Sequence, residues 1–189
     1  MDYPLIVHLE VTRNCNLKCY MCRESRDEEV KEIGINDLDF RILDKMVTFM
    51  QNVSHVALFG WGEPLCHPNF EKFIDAVGII KERKGTRLLN AGSPFVNFTT
   101  NATLITEDLA RRIIKNGVNE IVVSIDSPNE ENFNFIRKGA NFKKVVANLR
   151  MFQELKKQFG VSRPALSIEF VAMRRNIEEL PEMIKFAVD

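Results

Sequence analysis

Three of the four cysteines fall within eight residues, Cys15, Cys19 and Cys22, spaced C-x₃-C-x₂-C directly after an apolar run. Three thiolates on one tight loop can hold three corners of a metal cluster and leave a fourth corner open. A saturated four-cysteine site passes electrons or braces a fold, whereas an open position can take a substrate or cofactor. Arg13, Lys18 and Arg23 flank the loop, and nearby cations favour the thiolate that metals require. The same residues allow two plainer readings: a zinc knuckle completed from a distance, for which Cys66 or His67 is the candidate, or ordinary thiols. Such tight clustering argues against the last.

Further candidates sit where apolar runs end. Gly60-Trp61-Gly62-Glu63-Pro64 follows a short apolar stretch. Two glycines there let the backbone turn and approach a ligand, and Glu63 with nearby carbonyls offers acceptors for an ammonium group. A tight strand-to-helix turn explains the same residues. Thr99, Thr100 and Asn101 could hydrogen-bond a ribose, though turn chemistry accounts for them equally. Ser124 and Asp126 close another apolar run, where caps and turns also place polar residues. Arg137 is either an exposed arginine or a bidentate fork for a carboxylate. His8 and Glu10 share one face of the first run with Thr12, and that face is either wet surface or a lumen wall.

Taken together, Thr12-Arg13-Asn14-Cys15-Asn16-Leu17-Lys18-Cys19 with Cys22, and Gly60-Trp61-Gly62-Glu63-Pro64 one strand–helix unit later, resemble the radical S-adenosylmethionine (radical SAM) enzymes. The resemblance implies that Cys15, Cys19 and Cys22 hold a [4Fe-4S] cluster whose fourth iron is chelated by SAM. It implies that Gly60, Trp61, Gly62 and Glu63 contact the methionyl end, that Asn101, Ser124 and Asp126 serve the ribose or carboxylate, and that Arg137 pairs with the carboxylate. Met21 stands where the family often has an aromatic, and methionine can pack on an adenine face. Ala102 replaces a family glycine. The implied activity is reductive cleavage of SAM to a 5′-deoxyadenosyl radical that abstracts hydrogen from a substrate. The surrounding motifs look most like members that modify peptides or mature cofactors, often with a SPASM or Twitch domain. An electron donor such as a flavodoxin or ferredoxin is implied too. A family member that keeps the cluster but does no chemistry is a further possibility.

The elements that would position these residues are legible as periodicities. Leu5 to Thr12 alternates as a strand, with Leu5, Val7, Leu9 and Val11 on its aliphatic face. Residues 23–35 read as a charged loop. Asn36 caps a helix with Asp37 and Asp39 in its first turn and Leu38, Ile42, Leu43, Met46, Val47 and Met50 inward. His55 to Gly60 is a second strand, and Pro68 opens a helix carrying Phe70, Phe73, Ile74 and Val77. A loop over 84–94 has no assigned role. Phe95 to Thr100 is strand three, Thr106 caps a helix closed by Gly117, and Ile121 to Ile125 is strand four. Asn141 opens a long helix stopped by Gly160, Ala165 to Ala172 is strand five, and Asn176 caps a last helix.

Five strand–helix alternations argue for an α/β fold with parallel strands and right-handed crossovers. The rhythm leaves open whether the sheet is doubly wound or curves into a barrel; the resemblance implies the partial (β/α)₆ TIM-like barrel of radical SAM cores over residues 1–189, with a sixth strand expected after Asp189 and no auxiliary-cluster domain. At 189 residues the chain can bury a real core, and 45% apolar with 28% charged residues reads as globular. Acidic and basic residues balance at 26 each, so no net field draws the chain to nucleic acid or to an anionic membrane. No apolar run is long enough to span a bilayer. A reducing cytoplasm fits the cysteine usage best.

Overall fold

The computed structural model describes residues 6–22, 37–50, 52–83 and 94–188. Five strands pair in parallel: β1 (Ile6–His8), β2 (His55–Leu58), β3 (Phe95–Thr100), β4 (Glu120–Ser124) and β5 (Ala165–Glu169). Between and after them run α1 (Leu43–Met50), α2 (Phe70–Arg83), α3 (Glu107–Lys115), α4 (Glu130–Ile136), α5 (Phe142–Phe159) and α6 (Leu180–Val188). The order in the sheet is β1-β2-β3-β4-β5, the order of the chain. That order decides what the rhythm alone could not. A doubly wound sheet reverses direction at a switch point. Here every crossover steps the same way, so crossovers of one hand lay all helices on one face. Neighbouring helices accordingly pack side by side, α1 on α2, α2 on α3 and α3 on α5. The result is an open, partial barrel.

The register separates two faces. Val7, Val56 and Val96 align across the sheet, as do Leu58, Phe98, Ile121 and Leu166. These rows meet Phe73, Ile74 and Ile80 of α2, Ile113 of α3 and Val145 and Phe152 of α5, all essentially closed to water. The intervening row, His8, Ala57, Asn97, Glu120 and Ala165, points the other way. On that face Asn97 Oδ1 lies 3.0 Å from His55 Nε2. The lumen is therefore polar because period-2 alternation reserves the aliphatic face for the helices.

Several element boundaries differ from expectation. β1 was expected over Leu5 to Thr12 but ends at His8; the chain then peels away, and Thr12 bridges Asp37 from the other side. Val7, Leu9 and Val11 still join the core. β2 stops at Leu58 rather than Gly60. β5 stops at Glu169, not Ala172, because the Val171 amide donates to Asp126 Oδ1 at 2.8 Å instead of continuing the ladder. Asp39, expected inside a first helical turn, is itself a cap: its side chain accepts from the Arg41 amide at 3.0 Å. Pro64, not Pro68, opens a short 3₁₀ turn after Glu63, and α2 begins only at Phe70. Asn176 does stand at the N-cap position, of a 3₁₀ turn (Ile177–Glu179) leading into α6, but its side chain makes no capping bond; it is buried and its Nδ2 donates to the carbonyls of Asp126 and Val171. α4, capped by Asn129, was not anticipated. The caps at Thr106 and Asn141 and the left-handed stop at Gly160 are as expected. Leu5, residues 23–35 with Arg23, the Asn36 cap, the Met46 side chain, the loop at 84–93 and Asp189 lie outside the described residues.

Candidate functional site

The cysteine loop leaves β1 at the C-terminal edge of the sheet and is clamped on three sides. The Glu63 amide donates to Asn14 O at 2.9 Å, the Lys18 amide to Lys138 O at 2.9 Å and the Tyr20 amide to Ile136 O at 2.8 Å. A fourth tie is made by side chains. Asn16 Nδ2 donates to Thr103 Oγ1 at 2.8 Å and Asn16 Oδ1 accepts from Asn101 Nδ2 at 3.0 Å. Leu17 is buried beneath the loop, so the thiols are held on a packed base. All four cysteines are free thiols.

The turn after β2 presses against this loop. A Cβ built on Gly62 would lie 2.3 Å from Thr12 O and 2.7 Å from the Arg13 carbonyl carbon, so only glycine permits the approach. Glu63, next in sequence, is buried and accepts three hydrogen bonds. Its Oε1 takes the Thr100 hydroxyl at 2.6 Å and the Leu65 amide at 3.1 Å, and its Oε2 takes the Asn101 amide at 2.6 Å. Burial pushes its carboxyl up; the Asn101, Thr100 and Leu65 bonds and the Arg137 charge oppose the rise. Glu10 accepts from the Trp61 amide at 2.6 Å, which leaves the Trp61 side chain more than half exposed over the cleft. Ala102, in the place where a glycine was noted as usual, adopts φ 59°, the left-handed region that glycine would enter without cost.

One cleft, about 430 Å³, gathers these pieces. Cys15, Cys19 and Cys22 line it together with Met21, Gly60, Trp61, Gly62, Glu63, Thr99, Thr100, Asn101, Ser124 and Arg137. Asp126 does not line it. That carboxylate is fully buried behind the wall, with Oδ2 2.5 Å from Arg137 Nε and Oδ1 on the Val171 amide. Four lining residues carried no assignment from the sequence: Leu17, Phe59, Glu169 and Val171. Glu169 could have been found by the reasoning that selected Ser124, a polar residue at the tip of a strand, since the two pair in register.

The electrostatics add a cation that spacing did not suggest. Burial pushes the Cys15 thiol up to about 11 and raises Cys19 as well. The cation that draws Cys19 back most is Arg137, distant in sequence, with Nη1 3.9 Å from its Sγ. Cys66 lies 3.8 Å from Asn16 Oδ1. His67 has both ring nitrogens occupied, Nε2 at 2.9 Å from Leu38 O and Nδ1 accepting from the Asn69 amide at 2.9 Å.

The donor set suits a cluster better than a single ion. Among the described residues, no three His, Cys, Asp or Glu side chains are drawn together tightly enough for one metal ion. An iron–sulfur cube takes each thiolate on a different iron, so three reduced thiols spread around a common cleft fit it.

A family profile for the radical SAM superfamily matches residues 9–187. The chain belongs to the radical SAM superfamily. The family's cofactors, a [4Fe-4S] cluster and SAM, are therefore those of this core. Among curated relatives, the chain is 27% identical over 187 residues to the tungsten-containing aldehyde ferredoxin oxidoreductase cofactor-modifying protein of Pyrococcus furiosus, covering 97% of this chain and 48% of the relative. It is 28% identical over 183 residues to a probable GTP 3′,8-cyclase of Methanocaldococcus jannaschii, covering 97% of this chain and 55% of the other. The chain thus spans about half the length of the curated relatives it matches. Among solved structures, Streptococcus suis SuiB bound to S-adenosylmethionine superposes with a TM-score of 0.74 at 19% identity, covering 97% of this chain and 38% of SuiB. SuiB has also been solved bound to the precursor peptide SuiA. At that identity the likeness speaks for the radical SAM fold. No helix among the described residues is long and apolar enough to cross a membrane.

Proposed function

We propose that this chain is the catalytic core of a radical SAM enzyme in which Cys15, Cys19 and Cys22 hold the [4Fe-4S] cluster. When bound, the cluster and SAM would supply one-electron reductive cleavage of the sulfonium and so radical chemistry for hydrogen abstraction from a substrate. The protein's own part is to bind, orient and exclude water. Gly60, Trp61 and Gly62 bring backbone to the methionyl end of SAM, with Glu63 fixing the turn through its three hydrogen bonds. Asn101 and Ser124 serve the ribose side, Met21 packs on the adenine, and Arg137 offers a cation to the carboxylate. Asp126 acts through Arg137 and touches no ligand. The observation that carries this reading is the single cleft shared by all three cysteines and the Gly60–Glu63 turn.

The substrate class we favour is a peptide or a cofactor precursor. The support is a relative named as cofactor-modifying and a structural neighbour seen with a precursor peptide. A flavodoxin or ferredoxin is the proposed electron donor. The zinc alternative finds little support, since both ring nitrogens of His67 are already bonded and the Cys66 sulfur lies against Asn16 Oδ1 at 3.8 Å. Anaerobic reconstitution tests the reading. Four irons and four sulfides per chain with an EPR signal perturbed by SAM are expected, followed by 5′-deoxyadenosine under reductant; Cys19→Ala should abolish both. One tightly bound zinc would refute it, and a loaded cluster without the nucleoside would leave an inactive family member.

A further inference from the structure

Arg137 is anchored in an unusual way for a cation at a ligand cleft. It ends α4, and its side chain is only 11% exposed. Its guanidinium spans two buried groups, Nε at 2.5 Å from Asp126 Oδ2 and Nη1 at 3.9 Å from Cys19 Sγ. Asp126 is itself fixed: its other oxygen accepts the Val171 amide at 2.8 Å and its carbonyl accepts Asn176 Nδ2 at 2.8 Å. The fork therefore cannot swing away from the sulfur without breaking an ion pair whose acid is closed to water. Burial weakens screening, so a positive charge and an N–H directed at one cysteine act more strongly than they would in water, with Asp126 offsetting part of the charge.

We infer that Arg137, positioned by Asp126, is an electrostatic tuner of the cluster, donating to the Cys19 thiolate and raising the reduction potential of the centre it ligates. The inference rests on the proposed function, since it requires the cluster to sit on Cys19. The chemistry is general: reduction adds negative charge to cluster and sulfurs, and hydrogen bonds to those sulfurs and nearby cations stabilise the reduced form. This role differs from pairing with the carboxylate of SAM, because it operates before SAM binds.

The test is a redox titration of the reconstituted chain without SAM, followed by EPR, for the parent, Arg137→Lys and the double variant R137Q/D126N. The double variant replaces the ion pair by a neutral hydrogen-bonded pair, so no charge is stranded in the interior. It should lower the ratio of reduced to oxidised cluster at a fixed poise about tenfold, a midpoint drop of about 59 mV for a one-electron couple. Arg137→Lys keeps the charge but replaces the planar fork, whose separate nitrogens reach Asp126 and Cys19, by a single point donor, so a smaller drop of about threefold is expected. An unmoved midpoint in either variant carrying four irons overturns the inference, as does weakened SAM binding with the SAM-free midpoint unchanged. A parent chain that assembles no cluster would instead overturn the proposed function.

Discussion

Glu63→Gln isolates what the buried carboxylate contributes, because it changes one oxygen to an amide nitrogen without changing volume. Glu63 has two oxygens and three donors: the Thr100 hydroxyl and Leu65 amide on Oε1, and the Asn101 amide on Oε2. Glutamine can offer its single oxygen to one side only. If the new NH₂ faces Asn101, that backbone N–H meets a donor. If it faces the other way, the Thr100 hydroxyl can turn to accept, but the Leu65 N–H is stranded. Either orientation leaves one backbone N–H without its acceptor, at a cost of about 1–3 kcal/mol. For a chain of this size each kcal/mol corresponds to roughly 2–4 °C in melting temperature. Chemical denaturation of the anaerobically purified protein measures the loss. Glu169→Gln is the matched control: the same chemical change at an exposed carboxylate in the same cleft, expected within about 0.5 kcal/mol of the parent. Equal stability of the two variants would refute the claim that Glu63 organises the turn as an acceptor.

Two other outcomes follow from the same geometry. Gly62→Ala places a methyl against the backbone of Thr12 and Arg13, which cannot rotate aside; a stability loss of about 1–3 kcal/mol and reduced iron loading on reconstitution are expected. Burial lowers the Lys81 ammonium to about 8 from its ordinary 10.5, while its Nζ donates to Pro94 O and Asn119 Oδ1. Between those values the unfolded chain binds a proton that the folded chain does not, so stability should rise as pH increases from about 8 towards 10.5. Lys81→Met should flatten that rise in urea midpoints measured across the window.

The amino-acid sequence alone determined the clustering of the thiols and the rhythm of the fold. Three thiols seven residues apart at most are neighbours whatever the rest of the chain does, and strand and helix periodicities are local consequences of where apolar side chains recur. The caps at Thr106 and Asn141 and the stop at Gly160 were equally local. What only the tertiary structure decided are relations between distant segments. The strand order, with no reversal, excluded a doubly wound sheet. Ser124 reaches the cleft while Asp126, two residues on, is turned inward to hold Arg137 and the Val171 amide. Arg137 in turn meets Cys19 from 118 positions away, a contact that proximity in sequence could not suggest. Asn176 looked like a cap but became a brace, because a buried amide takes whichever carbonyls the fold brings to it. Spacing can bring together only what is close along the chain; the second layer around the thiols depends on which strand tips the sheet sets side by side.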